Sequence, residues 1–277
     1  MATVAFNPPP CMYAESDVKL IRSIDGHDIS TMCTIPFSVI QENELCTIDS
    51  YTSQQKCIIY SHGNAEDIQQ IKSFASYMAD NFDCIVLTWD PVGFGKSTPG
   101  TPTEDNMYSA IEAVYNHATE KLKIPTDKII LIGRSLGSAP TLHMASREYA
   151  QCHAVVLISP LASGFRTFAK PTSVGNRVCC ILDSLFCPNI NLIGRVRAPL
   201  CIVHGQQDTV VPVHNALELQ EKVSFKYKFE PLLIDSATHN DIITKHQQRL
   251  LMYLETFFVY CDRFNQSQEP YSTLDSV

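Results

Sequence analysis

Five short runs in this chain are apolar at nearly every position: Lys56 to Tyr60, Cys84 to Leu87, Lys128 to Ile132, Ala154 to Ile158 and Leu200 to Val203. A strand with one wet face alternates polar and apolar residues. A strand without that alternation is buried on both faces. Helical spacing follows most of these runs. Ala65 to Ala79 places Ile68, Ile71, Phe74, Ala75 and Met78 on one face, and Leu136 to Tyr149 and Val213 to Val223 read as helices. Thr101, Pro102 and Glu104 have the order of a cap, a first-turn proline and a capping-box acid, for a helix reaching about Lys121. Phe229 to Ile234 is a further strand. Asp241 to Arg263, with Ile243, Leu250, Leu254 and Phe257 aligned, closes the pattern as a helix. Strands buried on both faces and alternating with helices require a mostly parallel sheet covered on both sides, so the fold class is α/β.

The remaining segments are subordinate to that core. Residues 1–16, with three consecutive prolines from Pro8, read as an irregular lead-in. Val18 to Arg22 and Ile29 to Ile35 form a hairpin around Gly26. Residues 36–55 read as a polar loop. Residues 161–196 interrupt the alternation with no clear strand, as a cap-like insertion over the carboxyl ends of the strands, where open sheets bind ligands. Residues 264–277 form a polar tail. A chain of 277 residues fits a single domain over 1–277.

Composition narrows the function. The formal net charge of −8 gives no general attraction to nucleic acid or anionic lipid. The 11 cysteines include no C-x-x-C pair, which argues against zinc and for free thiols in a reducing, cytoplasmic setting. The N-terminus lacks the pattern of a secretory signal, and no segment is long and apolar enough to span a bilayer. No phosphate-binding or dinucleotide loop occurs, so no cofactor is expected.

Gly133-Arg134-Ser135-Leu136-Gly137 carries the chemistry. It is a G-x-S-x-G between an apolar strand and a helix, the setting of a nucleophile elbow. A tight turn there needs small residues two before and two after the serine. A serine hydroxyl is a weak nucleophile and needs a base. His239 lies in the loop Ser236 to Asp241, directly after a strand, and is the candidate base. His143 and His246 fall in expected helices, and His204 ends a strand as a structural residue. Asp208, in the loop after Leu200 to Val203, is the candidate acid that would orient the imidazole. Asp235 is its rival, although only four residues from His239. The loop Ser61-His62-Gly63-Asn64 ends the first buried strand. The backbone N–H groups of Asn64 and Leu136 are the candidate oxyanion hole, with His62 orienting the loop.

The ordered segments SHGNAEDI, TWDPVGFGKSTPGTPTEDN, IILIGRSLGSAP, VVLISPLASGFRTF, IVHGQQDTVVPVHN and ATHNDI resemble the α/β-hydrolase domain-containing 17 proteins and their Bem46-like relatives, over Lys56 to Tyr260. The resemblance implies an α/β-hydrolase fold with Ser135 as nucleophile, Asp208 as acid and His239 as base. It implies thioester hydrolysis that removes palmitate from protein cysteines. The partner it implies is an S-acylated protein or another lipid-like acyl substrate, at peripherally bound membranes. Animal members of that family carry a cysteine-rich, palmitoylated N-terminus. Here only Cys11 lies in the first thirty residues, and one acyl chain holds a protein to a membrane weakly. Cys179 and Cys180 are further candidates for lipidation. Arg166, Lys170 and Arg177 are candidates for lipid headgroup contact. Other substrates of the same class are a lysophospholipid, a monoacylglycerol or a peptide. A non-catalytic scaffold on the same fold is the reading from a different class.

Overall fold

A computed structural model of the chain describes residues 6–42, 55–167 and 183–268. Lys170, Arg177, Cys179 and Cys180 lie outside the described residues. Eight strands form one sheet: β1 Lys19–Arg22, β2 Asp28–Thr34, β3 Cys57–Ser61, β4 Ile85–Trp89, β5 Ile129–Arg134, β6 Ala154–Ile158, β7 Leu200–Gly205 and β8 Leu232–Ile234. Their spatial order is β1-β2-β4-β3-β5-β6-β7-β8. β2 pairs antiparallel with β1 and β4, and the remaining pairs are parallel.

The helices are α1 Phe37–Glu42, α2 Ile68–Phe82, α3 Glu104–Asn116, α4 Ser138–Ala145, α5 Asn189–Leu192, α6 His214–Lys222 and α7 Gln247–Gln266. Every residue of β3 through β7 is buried, as unalternating apolar runs require. Successive side chains on a strand point to opposite faces, so the core divides in two. Ile59, Leu87, Leu131 and Leu157 meet Met107 and Ile111 of α3 and Leu142 of α4 on one face. Ile58, Val86, Ile132 and Val156 meet Phe74 and Met78 of α2 and Leu254 and Phe257 of α7 on the other.

Several boundaries differ from the sequence reading. Residues 36–55 were expected as loop, yet Phe37–Glu42 is helical. The cap of α3 is Thr103, not Thr101. The Thr103 hydroxyl accepts the Asn106 N–H and Asn106 Oδ1 accepts the Thr103 N–H, so the box closes two residues later than expected. The helix expected from Leu136 starts with a 3-10 turn over Ser135–Gly137. The helix expected from Asp241 starts at Gln247, because the Asp241 carboxylate accepts the Thr238 N–H and folds the segment into turns. The lead-in is anchored: Phe6 and Tyr13 are buried. Arg166 does not face a lipid surface. It is buried, grips Asp183 through Nε and Nη2 at 2.8–2.9 Å, and pairs with Glu218.

Chain order and sheet order set where a site can form. β3 lies between β4 and β5, so the chain departs from it to opposite sides. Such a switch opens a crevice at the carboxyl ends of the strands. Among the described residues, no helix is long and apolar enough to cross a membrane.

Candidate active site

Ser135 follows β5 with φ of +51°, a left-handed backbone that a non-glycine residue holds only when its surroundings enforce it. The enforcement is steric and local. A Cβ on Gly137 would lie 2.1 Å from the Ser61 carbonyl oxygen and 2.6 Å from that of His62. A Cβ on Gly133 would lie 2.5 Å from Thr141 Oγ1 and 2.6 Å from the Gly137 carbonyl oxygen. Both glycines are needed for the turn to lie against β3 and α4. The Ser138 hydroxyl donates to the Ser135 carbonyl at 2.6 Å, and Asn189 Nδ2 donates to the Ser138 hydroxyl at 3.0 Å.

The turn brings the Ser135 hydroxyl 2.9 Å from His239 Nε2, from the loop after β8. His239 Nδ1 lies 2.7 Å from Asp208 Oδ2, from the loop after β7. The other carboxylate oxygen, Oδ1, accepts the N–H groups of Val210 and Val211 at 2.9 and 2.8 Å. His204 Nε2, 2.8 Å from the Val211 carbonyl, is also 3.3 Å from Asp208 Oδ2. Burial alone would raise the Asp208 pKa. The bonds from His204 and His239, the charge of His239 and the Val211 N–H outweigh it and hold the carboxyl well below the usual range. Asp235 is exposed and accepts from Gln206 Nε2, so the geometry separates it from His239.

His62 holds the loop after β3. Its Nδ1 is 2.7 Å from the Gly63 carbonyl and its Nε2 is 3.0 Å from Asp90 Oδ1. Both partners are acceptors, so both ring nitrogens carry protons. Burial alone would lower its pKa. The Asp90 bond and charge, with the Gly63 carbonyl, raise it above the ordinary histidine value. Asp90 also accepts from the Tyr13 hydroxyl and the Ile68 N–H. A trans peptide points its N–H away from its carbonyl. Gripping the Gly63 carbonyl therefore fixes the direction of the Asn64 N–H.

Asn64, Ser135 and His239 line one cavity of about 730 Å³, between α2 and the turn that leads into α7. Its apolar wall is Ile71, Phe74 and Ile243. Leu136 lies against the opposite side of the elbow, facing the α3 side of the core. Sequence reasoning missed Asp90, Tyr13, Glu66 and Arg134 at this site. The signal for Asp90 was its position one residue after a buried strand. Among the described residues, no three histidine, cysteine, aspartate or glutamate side chains are grouped to hold a metal ion.

The sheet order and the strained serine turn define an α/β hydrolase. The sequence model of the family described as Hydrolase_4, Serine aminopeptidase, S33, matches residues 52–192, half of the chain, and the chain belongs to that family. That stretch includes Ser135 and ends before Asp208 and His239. The chain is 34% identical over 199 residues to α/β hydrolase domain-containing protein 17C of Xenopus tropicalis, covering 71% of this chain and 61% of that protein. It is 36% identical over 185 residues to α/β hydrolase domain-containing protein aho-3 of Caenorhabditis elegans, covering 67% and 52%. The chain thus spans less than two thirds of the length of these curated relatives. Among solved structures, esterase RhEst1 from Rhodococcus sp. ECU1013 superimposes with a TM-score of 0.62 at 15% identity, covering 88% of this chain and 98% of the other. Paleococcus ferrophilus monoacylglycerol lipase gives 0.58 at 15%, covering 76% and 96%. Likeness at that identity is a likeness of fold.

Proposed function

We propose that this hydrolase is a serine hydrolase of acyl thioesters and esters, acting on S-acylated proteins. The observation that carries this reading is the run of two short contacts, Ser135 Oγ to His239 Nε2 at 2.9 Å and His239 Nδ1 to Asp208 Oδ2 at 2.7 Å, at a left-handed serine.

The chemistry follows from those contacts. His239 Nε2 takes the Ser135 proton as Oγ attacks the acyl carbonyl. Asp208, accepting from Nδ1–H, keeps Nε2 free to accept and stabilises the imidazolium that forms. The N–H groups of Asn64 and Leu136 receive the developing oxyanion, each worth about 2.7–4 kcal/mol where such donors are well placed. The imidazolium returns its proton to the departing sulfur or oxygen, leaving an acyl group on Ser135. Water, deprotonated by His239, releases the acid and restores the serine. The choice of the thioester over other acyl substrates rests on what the resemblance of the ordered segments to the α/β-hydrolase domain-containing 17 proteins implies.

Labelling by a fluorophosphonate, in the wild type and in Ser135→Ala, tests the nucleophile. Labelling is expected to vanish in the variant while its melting temperature holds. An unlabelled, well-folded wild type would overturn the reading. Turnover of matched acyl thioesters, lysophospholipids and monoacylglycerols then tests the substrate, with the thioester expected to be fastest.

A further inference from the structure

Arg134, between Gly133 and Ser135, sits where three loops of the site meet. Its side chain is 4% exposed, and its Nη1 lies 2.5 Å from Glu66 Oε1. Its Nη2 donates to the His239 carbonyl at 3.2 Å and to Asn240 Oδ1 at 2.9 Å. The second Glu66 oxygen, Oε2, accepts the Gly63 N–H at 2.7 Å. One planar fork therefore spans the elbow, the loop of the candidate base and the loop of the candidate oxyanion donor. A guanidinium has the rigid geometry for that; an ammonium does not.

We propose that Arg134 and Glu66 act as a positioning pair for hydrolysis, fixing the backbone of His239 against Ser135 and the Gly63–Asn64 peptide against the acyl oxygen. The proposal rests on the serine-hydrolase reading above. Two features separate it from an ion pair that only stabilises the fold. The first is its reach: both partners end on backbone groups of the loops that carry the chemistry, 105 residues apart along the chain in the case of Arg134 and His239. The second is charge. Glu66 lines the same cavity as Ser135. Left unpaired, its carboxylate would oppose the negative charge that develops on the acyl oxygen, and Arg134 cancels it. Gly63 is then gripped from both sides, its N–H by Glu66 and its carbonyl by His62.

The opposition of charges gives the pair a signature in turnover. Arg134→Gln loses the fork and exposes the site to Glu66. Glu66→Gln in that background removes the second injury. The test measures kcat and KM on a short soluble acyl thioester for the wild type, Arg134→Gln, Arg134→Lys, Glu66→Gln and the double variant Arg134→Gln/Glu66→Gln. Arg134→Gln is expected to lower kcat by about 10- to 100-fold, the scale of a misplacement of about an ångström, with KM little changed. Arg134→Lys should recover part of the loss, and the double variant should exceed Arg134→Gln alone.

A fall in melting temperature with kcat per folded molecule unchanged would overturn the proposal. So would a double variant no better than Arg134→Gln. Should Arg134→Gln not fold, Glu66→Gln decides, because it changes no side-chain size: kcat must fall with KM held, and an unchanged kcat overturns the proposal. Fluorophosphonate labelling of the wild type in the same samples separates the two readings. A wild type that neither labels nor turns over overturns the hydrolase reading and this proposal with it. One that labels and turns over equally in all variants overturns this proposal alone.

Discussion

At the scale of residues, the elbow is decided by the space two glycines leave. The Ser61 carbonyl that approaches Gly137 belongs to the end of β3, which is held by β4 and β5 on either side, and the His62 carbonyl follows it directly. The Ser61 oxygen cannot retreat without disturbing that pairing. Gly137→Ala should therefore yield little folded protein, read as recovery of soluble material and its thermal melt; a melt like that of the wild type would show that the turn is softer than its contacts imply. Asp208→Asn should behave differently. The asparagine oxygen can still accept from Val210 and Val211, so the loop should persist. The imidazole then loses its negative partner, and thioester turnover should drop by about 10⁴-fold, as when such a carboxylate becomes an amide elsewhere. Ser135, Asp208 and His239 were legible in the sequence because each leaves the end of an apolar strand and chemistry demands their order. Arg134 and Glu66 were not. A charged residue in a loop looks like a solvated surface until its partner is known, and the partners of Arg134 include a loop 105 residues away. The same blindness made Arg166 a candidate for lipid contact, although it is closed on Asp183 and Glu218.

At the scale of elements, apolar patterning located β3 through β7, because short runs buried on both faces suit a covered strand. Helix starts were harder. Thr-Pro-Thr-Glu holds two possible caps, and first-turn proline favours Thr101. The structure caps α3 at Thr103, where Asn106 closes the box that Glu104 was expected to close. Thr101 contributes only its carbonyl, to Asn106 Nδ2 at 3.3 Å. Thr103→Ala should thus cost about 1 kcal/mol, the usual loss for a cap hydroxyl. Thr101→Ala should cost little, since any residue supplies a carbonyl. Urea midpoints of the two variants check this, and equal losses would contradict the assignment. The start of α7 was misread for a related reason. Ile242 and Ile243 are buried, so apolar spacing continues through residues that are not helical. What breaks the helix is the Asp241 carboxylate on the Thr238 N–H, with the Asp241 carbonyl accepting from Thr244, Lys245 and His246. Spacing records which side chains face the core, and turns can satisfy it as well as a helix can.

At the scale of the whole molecule, one buried pair ties distant segments together and sets how stability should vary with pH. His62 and Asp90 join the ends of β3 and β4. Through Asp90 they also hold Tyr13 of the lead-in, Ser30 of β2 and the first N–H of α2. His62 has a raised pKa in the folded protein. Its contribution is fully present below the ordinary histidine value of about 6.5 and is lost as pH rises through the higher folded value. His117, His143 and His153 act in the opposite sense. Burial, their leading influence, lowers each, so the stability they cost in acid is recovered as pH rises through about 6.5 and just beyond it. Asp208, held low, matters only in acid. Burial also raises the thiols of Cys33, Cys57, Cys84, Cys152, Cys187, Cys201 and Cys261, which contribute a decline as pH nears and passes their ordinary value of about 8.5. These groups are common to the wild type and to His62→Gln, so the difference in stability between the two proteins isolates the pair. The stability advantage of the wild type over that variant, from urea titrations, should therefore be greatest at and below pH 6.5 and shrink as pH rises. His62→Gln keeps a donor for one partner and cannot titrate, so it should be less stable than the wild type at pH 6.5 and lose that deficit toward pH 8.5. A difference between the two proteins that stays constant over that range would show that the lead-in, the β3 loop and α2 are not held by a charged His62.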